Sequence, residues 1–284
     1  MPALEIVGPK ILKAVYTPRQ PWVHKGYTGQ LLVVGGSETL TGSPVFNSLA
    51  AYRAGCDMVY IAAPERAANV AAHFSPNLMT IPLEGNALAR VHVPFILKQA
   101  ERASALVIGS GLGREPETFS AVQELVRRID KPFVLDADGL RALAGFRRRI
   151  LRGKKAVLTP HATEFYELTG VKVSENERER AEAARALARD LRCTVLLKGH
   201  VDAVSDGTHT ALNKSGTPLM TKGGCGDTLA GICGAYLARG VEPYAAAKAA
   251  AFVNGKAGEL AGKEFGEGML ATDLIERIPQ AIKR

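Results

Sequence analysis

Met220-Thr221-Lys222-Gly223-Gly224-Cys225-Gly226-Asp227-Thr228-Leu229-Ala230-Gly231 carries a glycine-rich loop into an apolar run. Leu229, Ile232, Cys233, Tyr236 and Leu237 are spaced for one face of a helix that ends at Gly240. Gly223, Gly224 and Gly226 leave the backbone free to adopt left-handed angles and to approach a ligand unshielded. Amides at a helix start have no intrahelical acceptor, and with the positive end of the helix dipole they favour an anion, here most naturally a phosphate. Asp227 admits two roles. It can cap the helix, or it can take the proton of a hydroxyl that attacks the phosphate, which joins a base to an anion hole.

Outward from this stretch the chain alternates strands and helices. Strands are predicted over 31–34, 59–62, 105–108, 133–135 and 156–158, with helices over 44–53 and after Pro64, Pro116, Asp138 and His161. A charged helix over 174–190, a buried strand over 194–198, a hairpin over 201–213, an alanine-rich helix over 245–260 and a last helix from Thr272 complete the reading. That rhythm predicts an α/β fold whose mostly parallel sheet is covered by helices on both faces, with ligands at the strand carboxyl ends. Residues 1–24, which include Thr17-Pro18-Arg19-Gln20-Pro21, read as an irregular N-terminal arm, and 25–284 as a single domain.

With 284 residues and 46% hydrophobic content, the chain has material for one large globular core. No apolar run reaches the roughly 18 residues of a spanning helix, and the start lacks a basic region followed by an apolar one. A cytoplasmic protein without a membrane partner is expected. Cys56, Cys193, Cys225 and Cys233 show no C-x-x-C spacing, so reduced buried thiols are expected rather than a disulfide framework or a zinc site. The net charge of +8 raises nucleic acid as a partner, but 6% aromatics leaves little material for base stacking. Anionic small molecules explain the charge equally well.

The segments after the strands are small or polar, as a site at strand ends requires. Gly35-Gly36-Ser37, Gly109-Ser110-Gly111-Leu112-Gly113, Asp136-Ala137-Asp138, Thr159-Pro160-His161 and Lys198-Gly199-His200 are these segments. The second lacks the third glycine of a dinucleotide fingerprint and reads either as a tight turn or as a ligand loop. Asp136 and Asp138 can hold magnesium through water or, for Asp138, cap the next helix. His161 and Glu164 share a helix face; His161 is a substrate contact or a satisfied polar side chain. Lys198 ends a buried strand and needs a phosphate or a carboxylate as partner.

Together with His24-Lys25-Gly26, Thr41-Gly42-Ser43-Pro44 and Gly223-Gly224-Cys225-Gly226-Asp227, these segments resemble the ADP- or ATP-dependent NAD(P)H-hydrate dehydratase family of the ribokinase-like superfamily, in family order over roughly residues 24 to 262. The resemblance implies a three-layer α/β/α fold. It implies Asp227 as base, Gly224, Cys225 and Gly226 as anion hole, and substrate contacts at Ser43, Gly111, His161 and Asp227. It further implies nucleotide contacts at Lys198, Gly199, His200, Val201, Asp202 and Gly226, with ADP or ATP as phosphoryl donor and Mg²⁺ on the phosphates. The substrate implied is hydrated NADH or NADPH, the assembly a homotetramer. Relatives often carry a fused epimerase domain, which the arm before Lys25 is too short to be, so a separate epimerase is the expected partner. The chain departs from the family pattern at Ser110, where proline is common, at Cys225, at Ala162-Thr163 and at Lys222. A vitamin-precursor kinase of the same fold is the alternative enzyme, since its chemistry is the same up to phosphoryl transfer. A non-catalytic nucleotide- or nucleic-acid-binding protein is the alternative from another class.

Overall fold

The structure is a computed structural model and describes residues 4–283. Residues 1–3 of the expected arm and residue 284 lie outside the described residues. Ten strands form one sheet: β1 (Glu5–Ile6), β2 (Gln30–Val34), β3 (Met58–Pro64), β4 (Met79–Leu83), β5 (Ala105–Ile108), β6 (Phe133–Leu135), β7 (Ala156–Leu158), β8 (Thr194–Leu197), β9 (Asp202–Ser205) and β10 (Thr210–Asn213). Their order is β1-β10-β9-β8-β7-β6-β5-β2-β3-β4, parallel except where β9 pairs with β8 and β10. The helices are α1 (Leu12–Val15), α2 (Ser43–Arg53), α3 (Glu65–Phe74), α4 (Val93–Ala100), α5 (Pro116–Arg128), α6 (Asp138–Ala142), α7 (Arg147–Leu151), α8 (Ala162–Thr169), α9 (Glu177–Leu191), α10 (Cys225–Ala238), α11 (Pro243–Phe265) and α12 (Ala271–Ala281).

Alternation along the central strands builds the layers. Leu31, Val33, Val107, Val134, Val157 and Leu196 pack with α2, α10, α11 and α12 on one face. Their neighbours Leu32, Val34, Leu106, Ile108, Leu135 and Val195 pack with α4, α5, α8 and α9 on the other. A strand buried on both sides reads as a continuous apolar run, which is what these strands show.

Helix α10 is more deeply set than its sequence pattern predicted. One apolar face was expected, yet Thr228 through Ala238 are all buried, because α2 and α11 cover the side that turns away from the sheet. Close approach makes this possible: a Cβ built on Gly231 would lie 2.1 Å from the Asn47 carbonyl oxygen. Strands β1 and β4 are not predicted from the sequence, and helix α4 is passed over although Val93, Ile96 and Ala100 fall on one buried face. Two residues are too few for alternation, and Pro82 within β4 argues against a strand except at an edge, which β4 occupies.

Strand β2 lies between β3 and β5, so the connections leaving β2 and β5 run toward opposite ends of the sheet. A crevice opens at such a switch point, beyond the carboxyl ends of the strands. The Gly36 amide donates to the Ser110 carbonyl at 2.9 Å across it.

Candidate active site

At this crevice α10 begins. Gly224 is its N-cap with φ of +97°, an angle that side chains disfavour, and Asp227 therefore stands in the first turn rather than at the cap. The cap offers no side-chain acceptor, so the amides of Gly226 and Asp227 have none within the helix, while the Cys225 amide turns back to the Lys222 carbonyl at 3.3 Å. Two asparagines fix this turn. Asn47 Nδ2 donates to the Asp227 carbonyl at 2.7 Å. Asn254 accepts from Thr228 Oγ1 at 2.7 Å and donates to the Cys225 carbonyl at 3.3 Å.

Opposing influences meet at the Asp227 carboxyl. Burial raises its pKa most and the Asp136 carboxylate raises it further; the Ser110 hydroxyl, the Lys198 ammonium and the Ser43 hydroxyl lower it, and the balance is a value of about 7. Asp136 is 2% exposed. Its Oδ1 accepts from Thr159 Oγ1 at 2.7 Å and Lys198 Nζ at 2.8 Å, and its Oδ2 from Ser110 Oγ at 3.5 Å. Those partners engage both oxygens of the carboxylate. Asp138 accepts from the Gly113 amide at 3.0 Å and pairs with Arg141 at 3.3 Å, tying down the Gly109 to Gly113 loop instead of capping α6. Between the two aspartates Ala137 has φ of +48°, a strained angle that costs about 1–3 kcal/mol for a residue with a side chain.

Lys198 joins this aspartate cluster to the histidine. Burial lowers the pKa of its ammonium, but Asp136 and Glu164 outweigh burial and hold it above the usual lysine value. Glu164 lies 3.9 Å from that ammonium. Burial raises the Glu164 carboxyl, yet the hydrogen bonds of His161 and the Lys198 charge prevail and bring it to about 2. His161 caps α8: its Nδ1 accepts from the amides of Thr163 and Glu164 at 3.1 and 3.3 Å. Nε2 therefore carries the proton and faces Glu164 Oε1 at 3.3 Å, with the ring half exposed.

A cavity of about 710 Å³ opens beside the first turn of α10. His161, Lys198, Gly199, His200, Asp202, Cys225 and Gly226 line it, along with apolar Met220 and Leu229. Val201 does not: its side chain is buried in the core and its carbonyl accepts from Arg180 Nε at 3.3 Å. Ser43 and Gly111 meet in the crevice, where a Cβ on Gly111 would come within 3.0 Å of Ser43 Oγ. All four cysteines are free and buried, and no described helix is long and apolar enough to cross a membrane.

Sequence reasoning missed Arg180, Asn47 and Asn254. Arg180, 1% exposed, donates to the carbonyls of Lys198, Val201 and Ser174 and so holds the loop that floors the cavity. Its signal was its phase, since it falls on the stripe of Ala184, Leu187, Ala188 and Leu191 that buries α9. Each asparagine is likewise a polar residue on a buried helix face.

Residues 31–280 match the profile of a family described as NAD(P)H-hydrate dehydratase. The bifunctional NAD(P)H-hydrate repair enzyme Nnr of Pyrobaculum aerophilum is 45% identical over 98% of this chain and 55% of its own length. This chain thus spans about half the length of such relatives. The ADP-dependent (S)-NAD(P)H-hydrate dehydratase of Cenarchaeum symbiosum is 37% identical over 99% of this chain and 98% of its own. The solved structure of the ADP/ATP-dependent NAD(P)H-hydrate dehydratase of Bacillus subtilis, co-crystallised with ATP and Mg²⁺, superposes with a TM-score of 0.82 at 27% identity, covering 98% and 97% of the two chains. By profile, relatives and ribokinase-like fold alike, this chain belongs to the NAD(P)H-hydrate dehydratase family.

Proposed function

We propose that this chain dehydrates the S-epimer of hydrated NADH and NADPH, with ADP as phosphoryl donor. One observation carries the reading: a carboxyl of pKa about 7, Asp227, stands in a helix turn with unclaimed amides. The adjoining cavity of about 710 Å³ falls within the roughly 300–1,000 Å³ usual for small-molecule sites. In this reading ADP takes the cavity over Lys198, Gly199, His200 and Asp202, and the damaged nicotinamide takes the crevice of Ser43, Gly111 and His161.

Water added across a ring double bond leaves a hydroxyl, and hydroxide is a poor leaving group. Asp227 accepts the hydroxyl proton as its oxygen bonds to the terminal phosphorus of ADP and the bond to AMP breaks. The backbone of Gly224 and Gly226 stabilises the charge on the transferring phosphoryl group, and the Cys225 amide joins it only by leaving the Lys222 carbonyl. Electrons of the ring nitrogen then expel inorganic phosphate, and loss of a proton from the neighbouring carbon restores the double bond. Among the described residues no three His, Cys, Asp or Glu side chains converge as a metal cage. Mg²⁺ carried on the nucleotide phosphates fits that donor set and would supply charge neutralisation. A cytoplasmic homotetramer served by a separate epimerase, with 25–284 as one domain behind the arm 1–24, completes the proposal.

The deciding experiment incubates the chain with hydrated NADH or NADPH, magnesium, and ADP or ATP, and follows reduced-nicotinamide absorbance and phosphate release. Absorbance recovered with stoichiometric phosphate supports the dehydratase and identifies its donor. A stable phosphoester from a vitamin-precursor alcohol, without recovery, would replace it with the kinase. Asp227→Asn should lower turnover by roughly two orders of magnitude or more with substrate binding kept; an active variant would remove Asp227 as the base.

A further inference from the structure

The Ser110 hydroxyl is buried at 0% exposure, 3.5 Å from Asp136 Oδ2 and near enough to the Asp227 carboxyl to lower its pKa by hydrogen bonding. On Asp136 both Oδ1 bonds are short and come from Thr159 and Lys198, whereas Oδ2 has Ser110 as its donor at 3.5 Å. The same hydroxyl favours the charged form of Asp227. A serine carries one proton to donate and two lone pairs to accept with. It can therefore serve Asp136 and Asp227 as donor only in turn.

We propose that Ser110 is a positioning residue whose hydroxyl reorients between Asp227 and Asp136 as the base gains and loses its proton. With Asp227 ionised, Ser110 donates to it. Once Asp227 has taken the substrate proton, Asp227 donates to Ser110 Oγ and Ser110 donates to Asp136 Oδ2. No bond to Ser110 breaks and no net proton passes through it; the hydroxyl proton only changes partner. Both protonation states of the base thus keep a hydrogen-bond partner. The proposal rests on the reading of Asp227 as the base.

The other groups that face Asp227 frame the expected effect. They are the Ser43 hydroxyl from the start of α2, the Asp136 carboxylate after β6, the Lys198 ammonium after β8, and the Cys225 thiol on α10 itself. Lys198 in turn is shared with Glu164, which His161 holds. Thr159 and Lys198 donate to Asp136 at Oδ1, and the side-chain donor on Oδ2 is Ser110.

The test compares wild type, Ser110→Ala and Ser110→Cys, the last a near-isosteric weaker donor. Two readouts are used: the acid limb of kcat/KM against pH, and the titration of the Asp227 carboxyl carbon by NMR in the ligand-free chain, assigned with Asp227→Asn. Ser110→Ala should move both upward by about half a pH unit or more, since the ionised base loses a donor, with Ser110→Cys between. In an Asp136→Asn background the hydroxyl no longer has a competing carboxylate, so deleting it should shift the titration further than it does in wild type. An unmoved titration with only a lower rate would overturn the proposal, as would equal shifts with and without Asp136. The NMR titration needs no substrate, so a failure of the dehydratase reading and a failure of this inference are separately visible.

Discussion

Asp227 is a carboxyl that the fold drives toward neutrality, and that has a consequence for stability as well as for chemistry. Its ordinary pKa of 3.8 becomes about 7 on folding, chiefly through burial and then through Asp136. Between those values the folded chain holds a proton that the unfolded chain has released. Stability therefore falls as pH rises through that window, and above it the buried charge is a standing cost. Asp227→Asn should raise Tm at about pH 8, and the gain should vanish below about pH 4, where wild type is protonated in both states. Thermal unfolding across that range checks it; a gain independent of pH would mean that the side chain acts by packing instead. Residue types alone showed that Lys198 needed a partner. That the partner is Asp136, a carboxylate that also disfavours charge on Asp227, depends on strands β6 and β8 ending on the same edge of the sheet.

At the scale of elements, α9 shows what a pattern can hide. Its fifteen residues are rich in Glu and Arg and read as a charged helix, yet Ala181, Ala184, Leu187, Ala188 and Leu191 give it a buried face. Arg180 nevertheless turns inward, and a Cβ on Gly199 would lie 2.2 Å from its guanidinium. Arg180→Leu suits the apolar stripe in size but leaves the carbonyls of Ser174, Lys198 and Val201 without their donor. The loop over 198–202 should loosen, and KM for the nucleotide should rise by roughly tenfold while KM for the hydrated nicotinamide changes much less. Steady-state kinetics with each substrate varied in turn measures this, and an equal rise in both would show general unfolding. Arg180→Lys should not restore binding, because one ammonium cannot reach three carbonyls arranged for a planar fork.

At the scale of the whole molecule, the first described residues are built into the sheet. Lys248 of α11, 8% exposed, donates to both carboxylate oxygens of Glu5 on β1 at 2.9 Å. Glu5 is the exposed partner, so removing either side has unequal effects. Lys248→Met leaves a carboxylate that water can solvate and should cost no more than about 1 kcal/mol. Glu5→Gln leaves a buried ammonium without its counter-charge and should lower Tm more, while neither changes substrate KM, since neither residue lines the cavity. Equal losses in a melting experiment would show that the pair acts through geometry alone. Apolar runs punctuated by glycine, serine and aspartate determined by themselves that this chain is a mostly parallel α/β protein with a glycine-rich loop leading into a helix. That information is local: strand burial, helix phase and loop chemistry are each written within about ten residues. Only the tertiary structure decided that α10 is buried all round from Thr228 on, that Arg180 holds the loop under the cavity, and that one serine acts on two aspartates. Those outcomes depend on strand order, because segments far apart in sequence become neighbours only when the sheet brings their ends to one edge.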